Sequence, residues 1–452
     1  MTAVARTAVP PGPTGPALLG VLWKLGRDRL GLMSSAASYG DAVRLAPGRR
    51  GLFFFNHPDH AKHVLADNSD NYHKGIGLAQ ARRALGDGLL TSEGQLWRDQ
   101  RAVIKPVFRP RRVAEQAPAV AAEAMLLVER LRAYAGRGPV DVVPELTALT
   151  LGVLGRTLLE VDLGGFTSLG HSFEAMQDQA MFEMASLGTV PHALPLPRQR
   201  RFRRARRDLD AVVGRLVVDR RARGGFRDGD DALSRLIRSY DELPDRELGR
   251  RRIRDELVTL LLAGHETTAS TLGWTLHLLD RHPEARERVA AEAREVLGDR
   301  TPEHDDLGRL TYTSMVVAEA MRLFPPVWML SRKAQAADVI GGYRVPAGAD
   351  VLICPYTLHR HPALWPDPDR FDPQRFAPEA RGRLSRYAYL PFGAGPRFCV
   401  GNQLGLMEAV FVVAAICRDL RLTTRPGHRV VPEPMLSLRL RGGLPMLVEP
   451  AR

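Results

Sequence analysis

The sequence predicts a single, mainly α-helical domain. Long apolar segments with helical spacing lead to this prediction, most clearly over residues 254–279. The 452-residue chain also shows no repeat or internal linker, since residues 10–16 are terminal and residues 224–231 form a short polar turn. We therefore expect one domain over residues 1–452, with a flexible Pro/Gly-rich N-terminus at about residues 1–16.

The composition is that of a globular protein with an unusual choice of basic residues. The chain is 44% hydrophobic and 25% charged, with a net charge of +13. Only five of its 64 basic residues are Lys, which leaves 59 Arg. Together with abundant Ala, Gly and Pro, this skew indicates a high-GC bacterial genome, such as that of an actinobacterium. Basicity is therefore weak support for nucleic-acid binding, which we do not expect, and an acidic protein partner is a better match.

Cysteine usage and hydropathy predict an intracellular setting. Cys354, Cys399 and Cys417 are widely spaced and odd in number, which argues against a disulfide framework. No apolar run approaches the roughly eighteen residues that a membrane span needs, and residues 17–22 are too short for an anchor. We expect a cytoplasmic monomer without a membrane span.

The most informative segment is residues 392–401, with the sequence FGAGPRFCVG. Cys399 lies there on a Gly-rich loop that leads into a helical apolar pattern, so its sulfur is expected near a helix N-terminus, where thiolate is favoured. A thiolate is a good ligand for iron. Gly393 and Gly401 allow the loop to turn tightly and to approach a flat partner. The alternative is a structural cysteine beside a turn.

Two further side chains of this loop fit an iron–thiolate site. Phe392 would shield the sulfur from water, and Arg397 is suited to a carboxylate such as a haem propionate. The spacing FxxGx(H/R)xCxG resembles the haem-binding signature of the cytochrome P450 family at every fixed position. The resemblance implies haem b with the Cys399 thiolate as its proximal ligand.

A second motif, AGHETT at residues 263–268, lies within the long apolar helix. Glycine and clustered threonines weaken a helix, which predicts a local opening beside the iron. The motif resembles the oxygen-binding helix of the family. This implies that Ala263 and Gly264 adjoin the haem, that Thr267 hydrogen-bonds bound oxygen and that Glu266 relays protons. The alternative is a bent helix with Glu266 on a wet face.

Glu319 and Arg322 form an ExxR motif on an apolar helix pattern. This i,i+3 spacing alone usually marks a surface salt bridge. Arg375, within FDPQRF at residues 371–376, resembles the arginine that follows the ExxR motif in the family. This resemblance favours a structural network over a surface salt bridge. The resemblance implies a Glu319–Arg322–Arg375 network that serves folding and haem retention.

Further basic residues fit haem propionates. Trp97 and Arg101 form a WxxxR pair, and Arg332 follows the segment 325–331 where the family forms a strand over the haem. Together with Arg397 they make a clamp for two carboxylates. His73 is an additional candidate. The alternative for each of these basic residues is chance occurrence in an Arg-rich chain. The alternative for His73 is a solvated loop residue.

The implied fold is the mainly α cytochrome P450 fold, with small β-sheets near the N-terminus (residues 42–45 and 52–55) and the C-terminus (residues 437–440 and 446–449). The resemblance also places an apolar substrate pocket. Its predicted lining residues are Phe182, Val327, Trp328, Met329, Leu330 and Leu436. Apolar residues in such a pattern more often belong to the protein core than to a substrate pocket. Their apolar character favours a bulky substrate such as a terpenoid, polyketide or fatty-acid derivative. His265 either contacts this pocket or points away.

The function implied is an oxygen-activating monooxygenase of secondary metabolism. The chain has no flavin or iron–sulfur module, so electrons from NAD(P)H are expected through a separate ferredoxin and ferredoxin reductase, or a flavodoxin. One alternative is a peroxide-driven or oxidative coupling haem-thiolate enzyme. Others are a non-catalytic scaffold with the same fold and a basic nucleic-acid-binding protein.

Overall fold

The computed structural model describes residues 8–15, 17–46, 51–163, 169–186, 189–191, 193–224, 229–382 and 384–451. Helices dominate these residues, and their bounds are α1 Ala17–Arg27, α2 Arg29–Ala37, α3 Pro58–Lys62, α4 Leu78–Leu85, α5 Gly94–Ile104, α6 Pro110–Arg132, α7 Val142–Leu154, α8 Leu169–Ala185, α9 Pro197–Arg223, α10 Ala232–Asp241, α11 Arg246–Arg281, α12 Pro283–Leu297, α13 Thr311–Leu323, α14 Pro355–Leu358, α15 Pro378–Arg381 and α16 Asn402–Asp419.

The strands are short and form four small sheets in the described residues. Their bounds are β1 Ala42–Ala46, β2 Leu52–Phe55, β3 Tyr72–Lys74, β4 Val140–Asp141, β5 Leu330–Ala334, β6 Asp338–Ile340, β7 Tyr343–Val345, β8 Asp350–Ile353, β9 Leu420–Thr424, β10 Pro432–Pro434, β11 Leu438–Leu440 and β12 Pro445–Pro450. The five-stranded sheet has the order β1-β2-β8-β5-β3, and the others are β4-β12-β9, β10-β11 and β6-β7. The predicted mainly helical fold with small sheets is confirmed.

The predicted terminal strands are present, with partners that the sequence did not reveal. β2 pairs with β1 and also runs parallel to β8 from the second half of the chain, with Leu52 opposite Asp350. At the other terminus, β11 pairs with β10, whereas β12 pairs with β9 and β4. Long-range pairing therefore joins segments that are far apart in the sequence.

Helix α11 is the centre of the main core. It begins after Asp245, whose side chain accepts hydrogen bonds from the backbone N–H groups of Glu247 and Leu248, both at 3.0 Å. It is thus longer than the predicted 254–279. Apolar residues on nearly every side explain its burial, and Trp274 stacks on Phe324 with ring centroids 3.9 Å apart.

One apolar segment departs from the sequence-based expectation. Val142–Leu159 is long and apolar enough to span a membrane, with a mean hydropathy of 1.4 over 18 residues, which corrects the expectation that no such run exists. The segment comprises α7 and the turn that follows it. Leu146, Leu149 and Val153 are completely buried in the main core. Burial accounts for its hydropathy, and no other segment of the described residues passes the same test.

The predicted flexible terminus lies partly outside the described residues, which omit 1–7 and 16. Of the remainder, Ala8 forms a parallel bridge with Tyr343, and the Pro11 carbonyl accepts a hydrogen bond of 2.8 Å from the Arg44 N–H. This stretch therefore lies against β1 and β7.

Candidate active site

The loop around Cys399 is closed by a backbone hydrogen bond and by a tight approach to another segment. The Cys399 N–H donates to the Phe392 carbonyl at 3.0 Å. Gly395 has φ +66°, and a Cβ there would lie 1.8 Å from the Leu65 carbonyl oxygen. Only glycine fits this position. Helix α16 begins at Asn402, so Cys399 lies three residues before it, at the predicted place.

The Cys399 side chain is accessible although the loop is surrounded by protein. Its sulfur is exposed, yet burial raises the pKa of the thiol, and the Gly401 N–H and the positive charge of Arg101 oppose this rise only partly. Desolvation thus acts against the stabilisation of thiolate that is expected from the nearby helix N-terminus. A bound metal cation would reverse the balance.

Basic side chains gather beside this loop. Arg101 donates from Nη2 to the Phe398 carbonyl at 2.9 Å. Arg397 donates from Nη1 to the Ser92 carbonyl at 2.9 Å and forms an ion pair with Glu93. The Trp97 ring lies beneath both guanidinium groups, 4.1 Å from that of Arg397 and 5.5 Å from that of Arg101.

Arg332 and Lys74 complete the cluster. They are cross-strand neighbours on β5 and β3, and Arg332 is 6% exposed. Burial and the charge of Arg397 lower the pKa of Arg332 to about 10. Burial, Arg332 and Arg397 also lower the pKa of Lys74, against the attraction of Glu93.

The cluster therefore combines four basic side chains with Glu93 as its nearby carboxylate, and their mutual repulsion favours added negative charge. Lys74, not the predicted His73, joins this basic cluster. The strand pairs His73 with Lys333 instead, and alternation turns its side chain to the other face.

Helix α11 presents an accessible strip within an otherwise buried stretch. Ala263 is exposed, and Gly264 and Thr267 are half-exposed. The Thr267 hydroxyl donates to the Ala263 carbonyl at 2.7 Å. A Cβ at Gly405 would lie 3.7 Å from the Thr268 hydroxyl, which places this part of α11 next to the first turn of α16.

The predicted local opening of the helix is wrong, because α11 is continuous from Arg246 to Arg281. The threonine hydroxyls bond carbonyls one turn back and leave the backbone ladder in place. Gly264 also has a packing role, and its predicted haem contact stays a prediction. A Cβ there would lie 2.5 Å from Leu154 Cδ2, so the glycine lets α7 approach closely.

Glu266 faces away from the accessible strip and is 8% exposed. Its Oε1 accepts a hydrogen bond of 2.9 Å from Ser437 and lies 3.5 Å from Nε of Arg439, while its Oε2 accepts a hydrogen bond from Gln177. Burial raises the pKa of Glu266 to about 7, against the charge of Arg439. The carboxyl group is therefore buried, contrary to the wet-face alternative.

His265 also points away from the strip. Its ring lies 4.8 Å from that of Phe173, and Nδ1 is 2.9 Å from the Leu261 carbonyl. Burial lowers the pKa of this imidazole to about 4, so it is neutral. Of the two readings of the sequence, the structure favours the one in which His265 avoids the pocket.

The ExxR residues of α13 and Arg375 come together in one cluster. Arg322 and Glu319 are fully buried and form two hydrogen bonds, of 2.7 and 2.8 Å. Arg322 also donates to three backbone carbonyls, those of His359, Pro368 and Arg370. Arg375 Nε lies 3.6 Å from Glu319 Oε1.

The same network reaches the segment that precedes the loop. Glu319 accepts a hydrogen bond of 2.8 Å from the Asp372 N–H, and Arg375 donates to the Asp367 carbonyl at 3.0 Å. Every hydrogen bond of the Arg322 guanidinium is thus made to α13 or to residues 359–370. These contacts tie α13 to the chain before Cys399, and the haem-retention role stays a prediction.

The predicted pocket residues do not share one environment. Trp328 is 4% exposed, belongs to the core between α2 and the five-stranded sheet, and donates from Nε1 to the Met435 carbonyl at 2.8 Å. It is a core residue, which corrects the pocket prediction. Phe182 is half-buried, and the Arg198 guanidinium carbon lies 4.8 Å from the centre of the Phe182 ring. The remaining pocket residues are half-buried: Val327, Met329, Leu330 and Leu436.

Several residues of the site escaped sequence analysis. Lys74 and Glu93 had a local signal, since they adjoin His73 and the WxxxR motif. Gln177, Ser437 and Arg439 had none, because they reach Glu266 only through the packing of α8 and β11 against α11. Contacts between such distant segments leave no mark in a single sequence.

The donor set fits a haem. An accessible sulfur would bind iron, the excess cations Arg101, Arg332 and Arg397 would bind two propionates, and the strip at Ala263 and Thr267 offers an accessible helix face near the start of α16. These are residues of the protein itself, and the fit rests on their charge and exposure.

Comparisons with known proteins agree with this site. A family model described as "Cytochrome P450" matches residues 10–446. The chain is 38% identical to "Cyclooctatin synthase" of Streptomyces melanosporofaciens over 98% of this chain and 96% of that protein. It is 36% identical to "Cyclooctat-9-en-7-ol 5-monooxygenase" of the same organism, over 99% and 98% of the two chains. It is 31% identical to "Pentalenene oxygenase" of Streptomyces avermitilis, over 95% and 94%.

Proposed function

The chain belongs to the cytochrome P450 family and is a monooxygenase, and we propose that its substrate is a bulky apolar terpenoid of secondary metabolism. Its cofactor is haem with a cysteine thiolate ligand, and its electrons come from external redox partners. The relatives are named for cyclooctatin, cyclooctat-9-en-7-ol and pentalenene, which supports a terpenoid skeleton. We further propose that the protein acts in the cytoplasm and that a ferredoxin with its reductase is the electron source.

One observation carries the catalytic part of the proposal: an accessible Cys399 sulfur lies beside a cluster with excess positive charge. The haem that these groups would hold supplies oxygen activation when bound. Arg101, Arg332 and Arg397 would orient it through its propionates. Phe392 is half-buried and packs edge-on to Phe398 at 6.3 Å, so that apolar rings shield the loop from water.

Two side chains of α11 are assigned to proton handling. The Thr267 hydroxyl lies at the accessible strip, where it donates a hydrogen bond to the Ala263 carbonyl. Glu266 has a pKa of about 7, so near neutral pH it can both take up and release a proton. Because the two residues are adjacent on one helix but face different sides, the transfer between them requires a water bridge or a rotation of the carboxyl group.

The haem-thiolate assignment is tested by absorption spectroscopy of the purified holoprotein. We expect a red protein whose reduced carbon-monoxide form shows the red-shifted Soret band of thiolate ligation. Cys399→Ala should lose that band. Cys354→Ala and Cys417→Ala should keep it, because both of these cysteines lie in the core. A spectrum typical of histidine ligation in the wild type would contradict the proposal.

The substrate class is tested separately by titrating the ferric protein with cyclic terpenes, polyketides and fatty acids. We expect cyclic terpenes and their alcohols to shift the haem from low to high spin and to be hydroxylated with a reconstituted ferredoxin system. A spin shift confined to fatty acids or polyketides would reject the terpenoid substrate and leave the monooxygenase assignment intact.

A further inference from the structure

We infer that Arg439, on strand β11, is a positioning residue that holds the Glu266 carboxylate and controls its protonation from the side opposite the accessible strip. The inference rests on the proton-handling role proposed for Glu266. It adds a residue that belongs to none of the recognised motifs and lies 173 positions away in the sequence. The contacts of Glu266, the placement of β11 and the electrostatics of the carboxyl group support it in turn.

Both oxygens of Glu266 are engaged by donors from other elements. Ser437 donates to Oε1 at 2.9 Å, and Gln177 of α8 donates to Oε2. Arg439 Nε lies 3.5 Å from Oε1, is buried and has no hydrogen-bond partner of its own. A buried guanidinium N–H without a partner is costly, so its approach to a carboxylate is the contact that compensates it. Small movements would convert this contact into a hydrogen bond.

Strand β11 is fixed on α11, so the position of Arg439 is not accidental. The Leu438 carbonyl accepts hydrogen bonds from Ser270 Oγ at 2.5 Å and from Trp274 Nε1 at 2.8 Å. The Leu438 N–H donates to the Pro326 carbonyl at 2.9 Å. Ser437, directly before β11, and Arg439 on β11 both reach Glu266, as expected for side chains two residues apart in an extended segment. The two α11 side chains that anchor β11 lie one and two turns beyond Glu266.

The charge of Arg439 acts on a carboxyl group that is close to half-ionised at neutral pH. Burial raises the pKa of Glu266 to about 7, and Arg439 acts in the opposite direction. Gln177 and Ser437 are neutral, and His265 on the same helix is uncharged because burial lowers its pKa to about 4. In the described part of the chain, Arg439 is the charged side chain within 4 Å of this carboxylate.

The Arg439 side chain is only partly enclosed beside Glu266. The Arg439 side chain is 26% exposed, whereas its Nε is buried beside Glu266. The guanidinium group is therefore partly accessible while its Nε stays beside the carboxylate. Removing the charge should raise the pKa of Glu266 further and make the carboxyl group a weaker proton donor at a given pH.

The test is an infrared titration of the protonated carboxyl band, taken as the difference between a protein and its Glu266→Gln counterpart. This subtraction isolates Glu266 from other buried acids such as Glu256, whose pKa is also raised. We expect a midpoint near neutral pH in the wild type and a midpoint about 1–3 pH units higher in Arg439→Gln. Arg439→Lys retains the positive charge, so its midpoint should stay close to the wild-type value.

The matched control is Arg441→Gln. Arg441 lies two residues further on, is 58% exposed and faces Glu433 at 3.8 Å. The Arg441→Gln substitution removes one positive charge beside the same hairpin without a contact to Glu266. It should leave the infrared midpoint of Glu266 unchanged. Arg439→Met, which keeps the apolar stem, replaces Arg439→Gln if the glutamine variant does not fold.

The inference is rejected if the midpoint in a folded Arg439 variant stays at the wild-type value, or if Arg441→Gln moves it equally. The enzymatic readout separates this result from the proposed function. We expect the pH profile of product formed per NAD(P)H consumed to move to higher pH in Arg439→Gln. If Glu266→Gln leaves this ratio unchanged while the infrared shift persists, the relay role of Glu266 fails and the control by Arg439 stands.

Discussion

Adjacent residues of α11 meet different surroundings, and this difference separates their chemistry. Thr267 is half-exposed on the strip with Ala263, whereas Glu266 is enclosed by α8 and β11. Successive residues of a helix point about 100° apart, so one helix can present a hydroxyl to a reaction space and a carboxyl group to a polar pocket behind it. Motif spacing alone does not reveal this division.

Thr267→Ala is expected to uncouple electron use from product formation. It removes the hydroxyl at the strip and leaves the buried Glu266 pocket intact. We expect the product formed per NAD(P)H to fall by up to roughly 100-fold, the low end of the range for acid–base groups, with haem content unchanged. Stoichiometry of NAD(P)H, hydrogen peroxide and product measures it.

Thr271→Ala is the control for this experiment. Its hydroxyl donates to the Thr267 carbonyl at 2.9 Å, which is the same type of intrahelical bond one turn later. If both variants uncouple to the same degree, a general effect on helix α11 explains the result and the assignment of Thr267 fails.

At the scale of elements, the Glu319–Arg322 pair joins α13 to the segment before the Cys399 loop. Both side chains are completely buried, and Arg322 uses its remaining donors on backbone carbonyls. We expect Glu319→Gln to lower the free energy of unfolding by about 3–5 kcal/mol, because it leaves a buried cation without its partner. Thermal or denaturant unfolding of the holoprotein, followed by haem absorbance, measures the loss.

A surface pair of the same spacing provides the control. Arg132 and Glu129 also stand at i,i+3 and are 46% and 60% exposed, at an N–O distance of 2.7 Å. Glu129→Gln should cost less than about 1 kcal/mol. Equal losses in the two variants would mean that the buried network has no special role in stability.

The loop itself depends on Gly395. Replacement by alanine would place a Cβ 1.8 Å from the Leu65 carbonyl oxygen at φ +66°. Gly427 shares the positive φ, at +78°, but has no atom within 4 Å of the added Cβ. Gly427→Ala should therefore cost only the roughly 1–2 kcal/mol of the backbone conformation.

Gly395→Ala should cost more than this and also release haem, since the overlap can be relieved only by moving the Cys399 loop. Haem content and unfolding free energy of the two variants measure the difference. Equal stability, with haem retained in both, would show that the approach to Leu65 is unimportant.

These elements also show which parts of the molecule a sequence can predict. Cys399, the ExxR pair and the long helix were predictable because each depends on local spacing or periodicity. The partners of β2, the burial of Trp328 and the environment of Glu266 depend on segments that are distant in the sequence, so no local pattern encodes them. The predicted opening of α11 failed for another reason: propensity disfavours Gly264, but close packing against Leu154 compensates.

At the scale of the whole molecule, the excess of positive charge includes exposed residues near the Cys399 loop. The chain carries a net charge of +13. Phe108 packs beside Gly401 of the Cys399 loop, where an added Cβ would lie 3.3 Å from its ring. Lys105 and Arg109 flank this phenylalanine and are both exposed. They therefore offer an acidic electron donor a cationic surface close to the Cys399 loop.

The double variant Lys105→Glu/Arg109→Glu is expected to raise the KM for an acidic ferredoxin by about tenfold or more and to weaken its dependence on salt, since charges at a docking site act mainly through steering and screening. The substrate-induced spin shift should not change. Arg204→Glu/Arg206→Glu lowers the net charge equally on the exposed face of α9 and is the control. Steady-state kinetics at several ionic strengths distinguish the two variants. If both raise the KM alike, the ferredoxin responds to the overall charge of the protein, and docking beside the Cys399 loop is contradicted.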